Sequence, residues 1–351
     1  MSFNIRYGTA DDGPDAWSHR KHVLFDVLSQ AHADVVGLQE ALHFQLEEIS
    51  QQLSKYAVLG VGREDGKLKG EYGAILYRSD RFSVEENDSF WLSGLPNIPN
   101  SMTWGNVCTR ICTWARLRDK RTGVSFLLYN THLDHQGVLS RELGVRLIVS
   151  RMKQTMRDQE AVLLTGDFNV DETDAVVHFL VNTRSNLTQP EPPYQKPEVC
   201  LMAPYGGYSC GTVHNVMTRM DRQDRTRLVF LDTFRHAHPL APQCDEKCGG
   251  PSPSPSPSCP QPSLPLLTLP AGLKEATYHA FSGRVDGGPI DFILLANQPA
   301  ASVLDSHIVR FHRDGRYPSD HYPITSTIRL PVPPPPQEGP HAAPSSHHDE
   351  L

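Results

Sequence analysis

Short apolar segments recur along the chain, and polar side chains follow several of them directly. DVVGLQ leads into Glu40, VSFLLYN leads to His132, and the run 162–165 leads to Asp167. Apolar runs of this length, bounded by polar or turn residues, are typical of buried strands. Side chains at the ends of neighbouring strands converge at one edge of a sheet, so the sequence predicts a polar site there.

Strand-like segments come in nearly adjacent pairs, with a few long helical segments between them. Helices are predicted at about 17–31, 43–53 and 139–158. Strands are predicted at about 2–7, 34–39, 57–61, 73–78, 82–91, 113–117, 124–130, 162–165, 289–295, 301–311 and 322–330. This order favours an α+β fold in which helices flank two packed, mostly antiparallel sheets.

The chain has 351 residues, of which 38% are hydrophobic, and we expect one large domain over residues 1–330. Two irregular insertions are predicted at about 184–227 and 241–272. The second contains alternating Pro and Ser at 251–258, a composition that cannot build a packed core. The Pro- and His-rich tail, 331–351, is predicted to be disordered.

Charge and terminal sequences limit the partners and leave the compartment open. The net charge of −7 excludes the basic field of a duplex-binding protein, and we expect a monomer. No apolar run approaches the roughly 18 residues that span a bilayer, and the absence of a visible signal peptide favours the cytoplasm. The last four residues, HDEL, resemble an ER-retention address, so the ER lumen is the alternative if the N-terminus is incomplete.

Six short motifs supply the groups that hydrolysis of a phosphate ester requires. Carboxylates and amides suit Mg²⁺, which prefers oxygen ligands, and imidazole can move protons near neutral pH. Each motif alone is typical of a polar turn, but their joint occurrence at strand ends is specific. The motifs are FNIRY at 3–7, GLQE at 37–40, NTHLD at 130–134, GDFN at 166–169, IDFIL at 290–294 and SDHYP at 319–323.

Together these motifs resemble the endonuclease/exonuclease/phosphatase superfamily, from Ser2 to about Leu330 without the insertions. The resemblance implies a four-layer αββα sandwich. It is strongest to a small bacterial-type branch near the deadenylase and nocturnin group. It also implies Mg²⁺, with Mn²⁺ as a substitute, bound by Glu40 with help from Asn4 and Asp320.

The resemblance also implies the catalytic roles. Asp167 aligns or deprotonates the attacking water, and Asn169 orients phosphate or water. His321 relays a proton and is oriented by Asp291. A second site histidine is expected to be held by a carboxylate, and this pair is His132 and Glu71.

Two arginines are candidates for binding the substrate phosphate. Arg6 lies near the end of the first predicted strand. Arg110 is expected either to contact phosphate near the site or to form a surface salt bridge.

One departure from the family narrows the substrate. Leu42 stands where deoxyribonuclease I has an arginine that enters the DNA minor groove, so duplex-DNA cleavage is not expected. The first hypothesis is a nuclease acting on RNA or single strands, in the manner of a 3′–5′ exonuclease. The second is a phosphatase or phosphodiesterase acting on a phospholipid or a small phosphorylated metabolite. The third is a scaffold whose Pro-rich segments bind aromatic-lined grooves.

Overall fold

The computed structural model describes residues 1–181, 198–202, 208–212, 228–239, 273–296 and 301–332. The described helices are α1 (Trp17–Ala31), α2 (His43–Gln52), α3 (Val138–Thr155), α4 (Ala175–Leu180) and α5 (Thr233–Ala237). The described strands are β1 (Ser2–Asn4), β2 (Val35–Ala41), β3 (Tyr56–Leu59), β4 (Tyr72–Arg78), β5 (Phe82–Trp91), β6 (Ile111–Asp119), β7 (Ser125–His132), β8 (Ala161–Asp167), β9 (Glu198–Met202), β10 (Tyr208–Thr212), β11 (Phe230–Asp232), β12 (Asp291–Ala296), β13 (Ser302–Ile308) and β14 (Ile324–Arg329).

Two six-stranded sheets carry the fold. The first sheet has the order β13-β14-β1-β2-β4-β3, and the second has the order β11-β12-β8-β7-β6-β5. Each contains one parallel pair, β1 with β2 and β7 with β8, and the other pairs are antiparallel. The crossover in each parallel pair is a helix, α1 or α3. The prediction of two mostly antiparallel sheets is confirmed.

Three apolar clusters separate four layers. One packs α1 and α2 on the first sheet and includes Leu24 and Leu38. Another packs α3 and α4 on the second sheet and includes Ile148 and Leu164. The third lies between the sheets and contains Ile75. The helices therefore cover the outer faces, as the αββα prediction requires. In the described ranges, no helix combines the length and hydropathy needed to cross a bilayer.

Several short elements were not predicted. The helices α4 and α5 are only six and five residues long, too short to show a helical period in the sequence. Asp174 and Asp232 cap their N-termini by accepting backbone N–H bonds, and these aspartates were the available signal. The strand β11 is only three residues long.

The predicted insertions and tail fall mostly outside the described residues. Within 184–227 the structure describes only β9 and β10, which pair with each other in an antiparallel hairpin. The Pro/Ser segment 251–258 and the chain beyond 332 are outside the described ranges. The domain boundaries, the disordered tail and the groove-binding role of the Pro-rich segments therefore stay predictions.

Asn130 on β7 joins the two sheets through its side chain. Its Nδ2 donates to the carbonyl oxygens of Leu38 (2.8 Å) and Ala74 (2.9 Å) in the opposite sheet. Its Oδ1 accepts from Gln39 Nε2 (2.6 Å) and Thr165 Oγ1 (3.0 Å). A buried amide with all of these bonds satisfied fixes the lateral position of one sheet against the other.

Gly37 provides the space for this contact. A Cβ at position 37 would overlap Thr165 Oγ1 and Asn130 Oδ1. We expect Gly37→Ala to lower the free energy of unfolding by about 2 kcal/mol, because adding a methyl group to a close-packed interior forces its neighbours apart. Denaturant titration followed by circular dichroism would measure the change.

Gly144→Ala is the matched control. Gly144 lies within α3, and the nearest atom to an added Cβ would be the flexible end of Leu92, at 3.3 Å, with Leu92 Cβ and Leu133 Cδ2 at ordinary contact distances of 3.8 and 3.9 Å. Alanine is favoured over glycine in a helix by up to about 1 kcal/mol, so this variant should be as stable as the wild type or more stable. Equal destabilisation of both variants would contradict the role assigned to Gly37.

Candidate active site

The predicted site residues converge at one edge of the sandwich. Asn4 ends β1, and Glu40 is the penultimate residue of β2. His132 ends β7, and Asp167 ends β8. Asp291 begins β12 and pairs in register with Asp167. The last two predicted residues, Asp320 and His321, precede β14 and are buried.

Asn4 connects two of the carboxylates. Its Nδ2 donates to Glu40 Oε1 (3.0 Å) and to Asp167 Oδ2 (2.9 Å). Its Oδ1 accepts from the backbone N–H of Arg6 (3.0 Å). The amide therefore holds the two carboxylates with its nitrogen, and the predicted role of Asn4 as a metal ligand stays a prediction.

Glu40 and Asp320 form the acidic side of the site. Glu40 Oε2 accepts from the backbone N–H of Tyr7 (3.1 Å), and Glu40 has left-handed backbone with φ of 60°. Burial raises the pKa of Asp320, and the nearby Glu40 carboxylate adds to the rise, against the opposite influences of His321 and Arg6. Two neighbouring carboxylate charges repel each other, and a bound cation relieves that repulsion.

Arg6 only partly matches its prediction. Its Nε and Nη2 donate to Asp12 Oδ2 (3.2 Å) and Oδ1 (2.9 Å), and Nε lies 3.9 Å from Asp320 Oδ2. The guanidinium is thus at the site but is already paired with a carboxylate. Phosphate binding by Arg6 stays a prediction.

His321 and Asp291 form a buried pair. His321 Nδ1 lies 2.8 Å from Asp291 Oδ2, and Nε2 lies 3.7 Å from Asp167 Oδ2. Burial alone would lower the pKa of His321, but the carboxylates of Asp291 and Asp167 outweigh it and raise the pKa to about 10. The imidazole is therefore a cation at neutral pH, oriented by Asp291 as predicted.

Asp167 is the most central carboxylate. Burial and the Asp291 charge raise its pKa to about 7, although His321 and Asn4 act in the opposite direction. The backbone N–H of Asn169 donates to Oδ1 (2.8 Å). A carboxylate with a pKa near 7 can take up a proton at neutral pH.

His132 is the neutral histidine of the site. Its Nε2 accepts from Asn169 Nδ2 (2.9 Å) and lies 3.5 Å from Asp167 Oδ2. Burial lowers the pKa of His132 well below its ordinary value, and the positive charges of Arg110 and Arg63 lower it further. The two site histidines therefore differ in charge.

The predicted pairing of Glu71 with His132 is wrong. Arg63 Nη1 and Nη2 donate to both carboxylate oxygens of Glu71, at 2.8 and 2.7 Å, while His132 Nδ1 is buried without a hydrogen-bond partner in the described structure. Arg63 and Glu71 lie in the same segment between β3 and β4, and its path brings the arginine side chain to the carboxylate.

Arg110 is buried beside the site. Arg110 is only 4% exposed, and its Nη2 lies 3.3 Å from His135 Nδ1. Its Nε has no partner among the described residues. The surface salt bridge considered from the sequence is therefore wrong. A buried guanidinium with a free donor is suited to an anionic ligand.

The donor set fits a divalent cation. Asp167, Asp291 and His321 offer ligand atoms that all lie within 4.8 Å of one another, and Asp291 Oδ1 is buried without a partner. Because Asp291 also holds His321 as a cation, this group is also suited to proton transfer. The oxygens of Glu40 and Asp320 are the hard ligands that Mg²⁺ or Mn²⁺ prefers.

Two residues that support the site were not predicted from the sequence. Thr277 Oγ1 accepts the backbone N–H groups of Ile290 (3.0 Å) and Asp291 (3.2 Å) and so fixes the start of β12. Ser319 Oγ donates to the carbonyl oxygen of Asn4 (2.8 Å). Ser319 lies inside the SDHYP motif and could have been found there, whereas Thr277 lies in a segment without a regular period.

This edge of the sandwich agrees with a family-level match. A model of the endonuclease/exonuclease/phosphatase family matches residues 1–321. The chain belongs to this family. Members of the family are hydrolases that act on phosphoester bonds.

Individual relatives show the same fold. A family member from Bacteroides vulgatus is 26% identical with a TM-score of 0.67, covering 94% of this chain and 97% of that one. A mannosyl-6-phosphatase from Bacteroides thetaiotaomicron is 26% identical with a TM-score of 0.65, covering 93% and 98%. Nocturnin from Drosophila melanogaster is 27% identical over 172 residues, which is 46% of this chain. The match spans only a quarter of the length of nocturnin.

The charge state of His321 can be tested by NMR titration of the histidine rings in metal-free protein. An adjacent negative charge favours the protonated ring, so we expect His321 to lose its proton only at about pH 10. Asp291→Asn removes the largest raising influence and should shift this titration to lower pH.

His279 is an internal reference in the same spectra. Burial, helped by the positive charge of His321, lowers its pKa to about 4, while Asp291 is not among the groups that shift it. An unchanged His321 titration in Asp291→Asn would contradict the pairing, and equal shifts of both rings would indicate a general structural change.

Proposed function

We propose that this chain hydrolyses phosphate esters by attack of a water molecule that Asp167 orients and deprotonates, in a site that binds Mg²⁺, with Mn²⁺ as a substitute. The observation that carries the proposal is the environment of Asp167. Its carboxylate is held by Asn4 and Asn169, faces His321, and has a pKa of about 7. A general base is most effective when its pKa is near the working pH.

Other side chains divide the remaining tasks. His321, kept protonated by Asp291, stabilises negative charge on the phosphate and can give a proton to the leaving oxygen. We assign neutral His132 and buried Arg110 to contacts with the phosphate oxygens. Glu40 and Asp320 would hold the cation, whose chemistry when bound is to neutralise charge on the phosphate oxygens.

A small phosphorylated metabolite is the substrate class that we favour. The likeness to the mannosyl-6-phosphatase extends over 93% of this chain. The net charge of −7 and Leu42 in place of a groove-binding arginine also suit a small substrate better than a long polyanion. This reverses the order of the first two hypotheses from the sequence.

A nuclease acting on RNA or single strands is the second candidate. Its support is the match to nocturnin over 172 residues. Buried Arg110, whose Nε has no partner among the described residues, is also suited to a backbone phosphate. A 3′–5′ exonuclease mode stays a prediction within this candidate.

Metal dependence and catalytic roles can be tested together. The purified protein should release product from bis(p-nitrophenyl) phosphate or p-nitrophenyl phosphate with Mg²⁺ or Mn²⁺ and should lose this activity in EDTA. Asp167→Asn and His321→Ala should each lower kcat by about 10²- to 10⁴-fold, the usual contribution of an acid or base. Asp305→Asn, an exposed carboxylate on β13, is the control and should keep full activity. Turnover in EDTA would contradict the proposal.

The substrate class can be tested with a panel of four compounds. We expect the highest kcat/KM on a sugar phosphate such as mannose 6-phosphate, compared with oligo(A), sphingomyelin and a phosphoinositide. Preference is measured as the ratio of kcat/KM values, with Asp167→Asn as the blank for contaminating enzymes. Faster shortening of oligo(A) would favour the nuclease candidate and overturn the favoured class.

A further inference from the structure

Arg20 is a fully buried arginine that lies below the site on α1. Its exposed fraction is 0%. Nε donates to the carbonyl oxygen of Asp15 (2.9 Å), and Nη1 donates to those of Ile5 and Pro318 (both 2.8 Å). Nη2 donates to the carbonyl oxygen of Arg6 (2.9 Å). Every one of these acceptors is a backbone carbonyl, so the guanidinium forms no hydrogen bond with a carboxylate of the described residues.

The bond to Arg6 bears directly on Asn4. Arg6 has left-handed backbone with φ of 56°, which costs about 1 kcal/mol or more in a residue with a side chain. Arg20 and Gln45 both donate to its carbonyl oxygen and hold this conformation. The Arg6 N–H then meets Asn4 Oδ1 and turns the Asn4 amide nitrogen toward Glu40.

The bond to Pro318 acts on the segment that carries Asp320, the second carboxylate of the acidic pair. Pro318 is followed by Ser319 and Asp320. Ser319 Oγ donates to the Asn4 carbonyl oxygen (2.8 Å) and lies 3.2 Å from Asp320 Oδ1. One guanidinium therefore joins the segment that follows Asn4 to the segment before β14 that carries Asp320.

The charge of Arg20 adds to this geometry. Burial lowers its pKa to about 10, and the carboxylates of Asp320, Asp12 and Glu40 oppose that change, so the side chain is a cation at neutral pH. A planar fork with donors in several directions can reach three segments at once, whereas the single ammonium of lysine cannot keep this geometry.

We propose that Arg20 is a positioning residue for the cation site, which sets the spacing of Glu40 and Asp320 through Asn4 and Ser319. The proposal rests on the divalent-cation site proposed above. It assigns a role to a side chain that contacts neither substrate nor metal. Residues that orient metal ligands from behind typically contribute about 10- to 100-fold in metal affinity.

The test uses Mn²⁺ titrations of the full chain by isothermal calorimetry, with Arg20→Lys and Arg116→Lys. Arg116 is the matched control because it is also a buried arginine, bound to Glu160 just before β8 and away from the site edge. We expect Arg20→Lys to weaken Mn²⁺ binding by about tenfold or more. Arg116→Lys should lower the thermal midpoint without changing Mn²⁺ affinity.

Turnover at saturating Mn²⁺ provides a second readout. Arg20→Lys should lower kcat more than it changes KM, because the lost interaction positions catalytic groups and does not contact substrate. If Arg20→Lys keeps the wild-type Mn²⁺ affinity, kcat and KM, the positioning role of Arg20 is overturned. The proposed cation site is not affected by that result. Failure of the wild-type protein to bind Mn²⁺ would overturn the proposed cation site and this inference with it.

A second variant decides the case if Arg20→Lys does not fold. Ser319→Ala removes one bond between the same two segments and leaves Arg20 in place. We expect a smaller loss of Mn²⁺ affinity, of about threefold, in the same direction. Unchanged affinity in this variant would contradict the spacing role.

Discussion

The hydrogen bonds of Asn130 across the interface between the sheets determine where the site forms. They connect Asn130 to the Leu38 carbonyl oxygen in the opposite sheet, and Asn130 also binds Thr165 on the neighbouring strand β8. Because side chains alternate along a strand, residues two apart point to the same face. Fixing Asn130 and Thr165 therefore aligns His132 and Asp167, and the bond to Leu38 brings the end of β2, with Glu40, to the same edge.

The site achieves chemical contrast by placing similar groups in different surroundings. Both histidines are buried, yet His321 is held as a cation by Asp291 and Asp167 while His132 is kept neutral by burial and the nearby guanidinium of Arg110. One imidazole can therefore stabilise negative charge and the other can accept a hydrogen bond. Opposite shifts of like groups are a mark of acid–base chemistry.

The sequence was sufficient for elements with a clear period and for residues in short motifs. The predicted bounds of α1 and β5 agree with the structure, and the motif residues at strand ends do meet at one edge. Contacts made by backbone groups were beyond its reach. The hydrogen bonds of Arg20 go to carbonyl oxygens, which every residue has. The ion pair between Arg63 and Glu71 depends on the path of an irregular segment. Neither leaves a pattern in residue type.

The left-handed backbone at Glu40, and likewise at Arg6, means that the site is maintained at a cost to folding. Glycine or asparagine would relieve that cost at position 40 and remove the carboxylate with it. Stability and function are therefore in conflict at these positions. A library selected only for thermal resistance would accumulate inactive proteins, and sequence averaging across distant relatives could mislead in the same way.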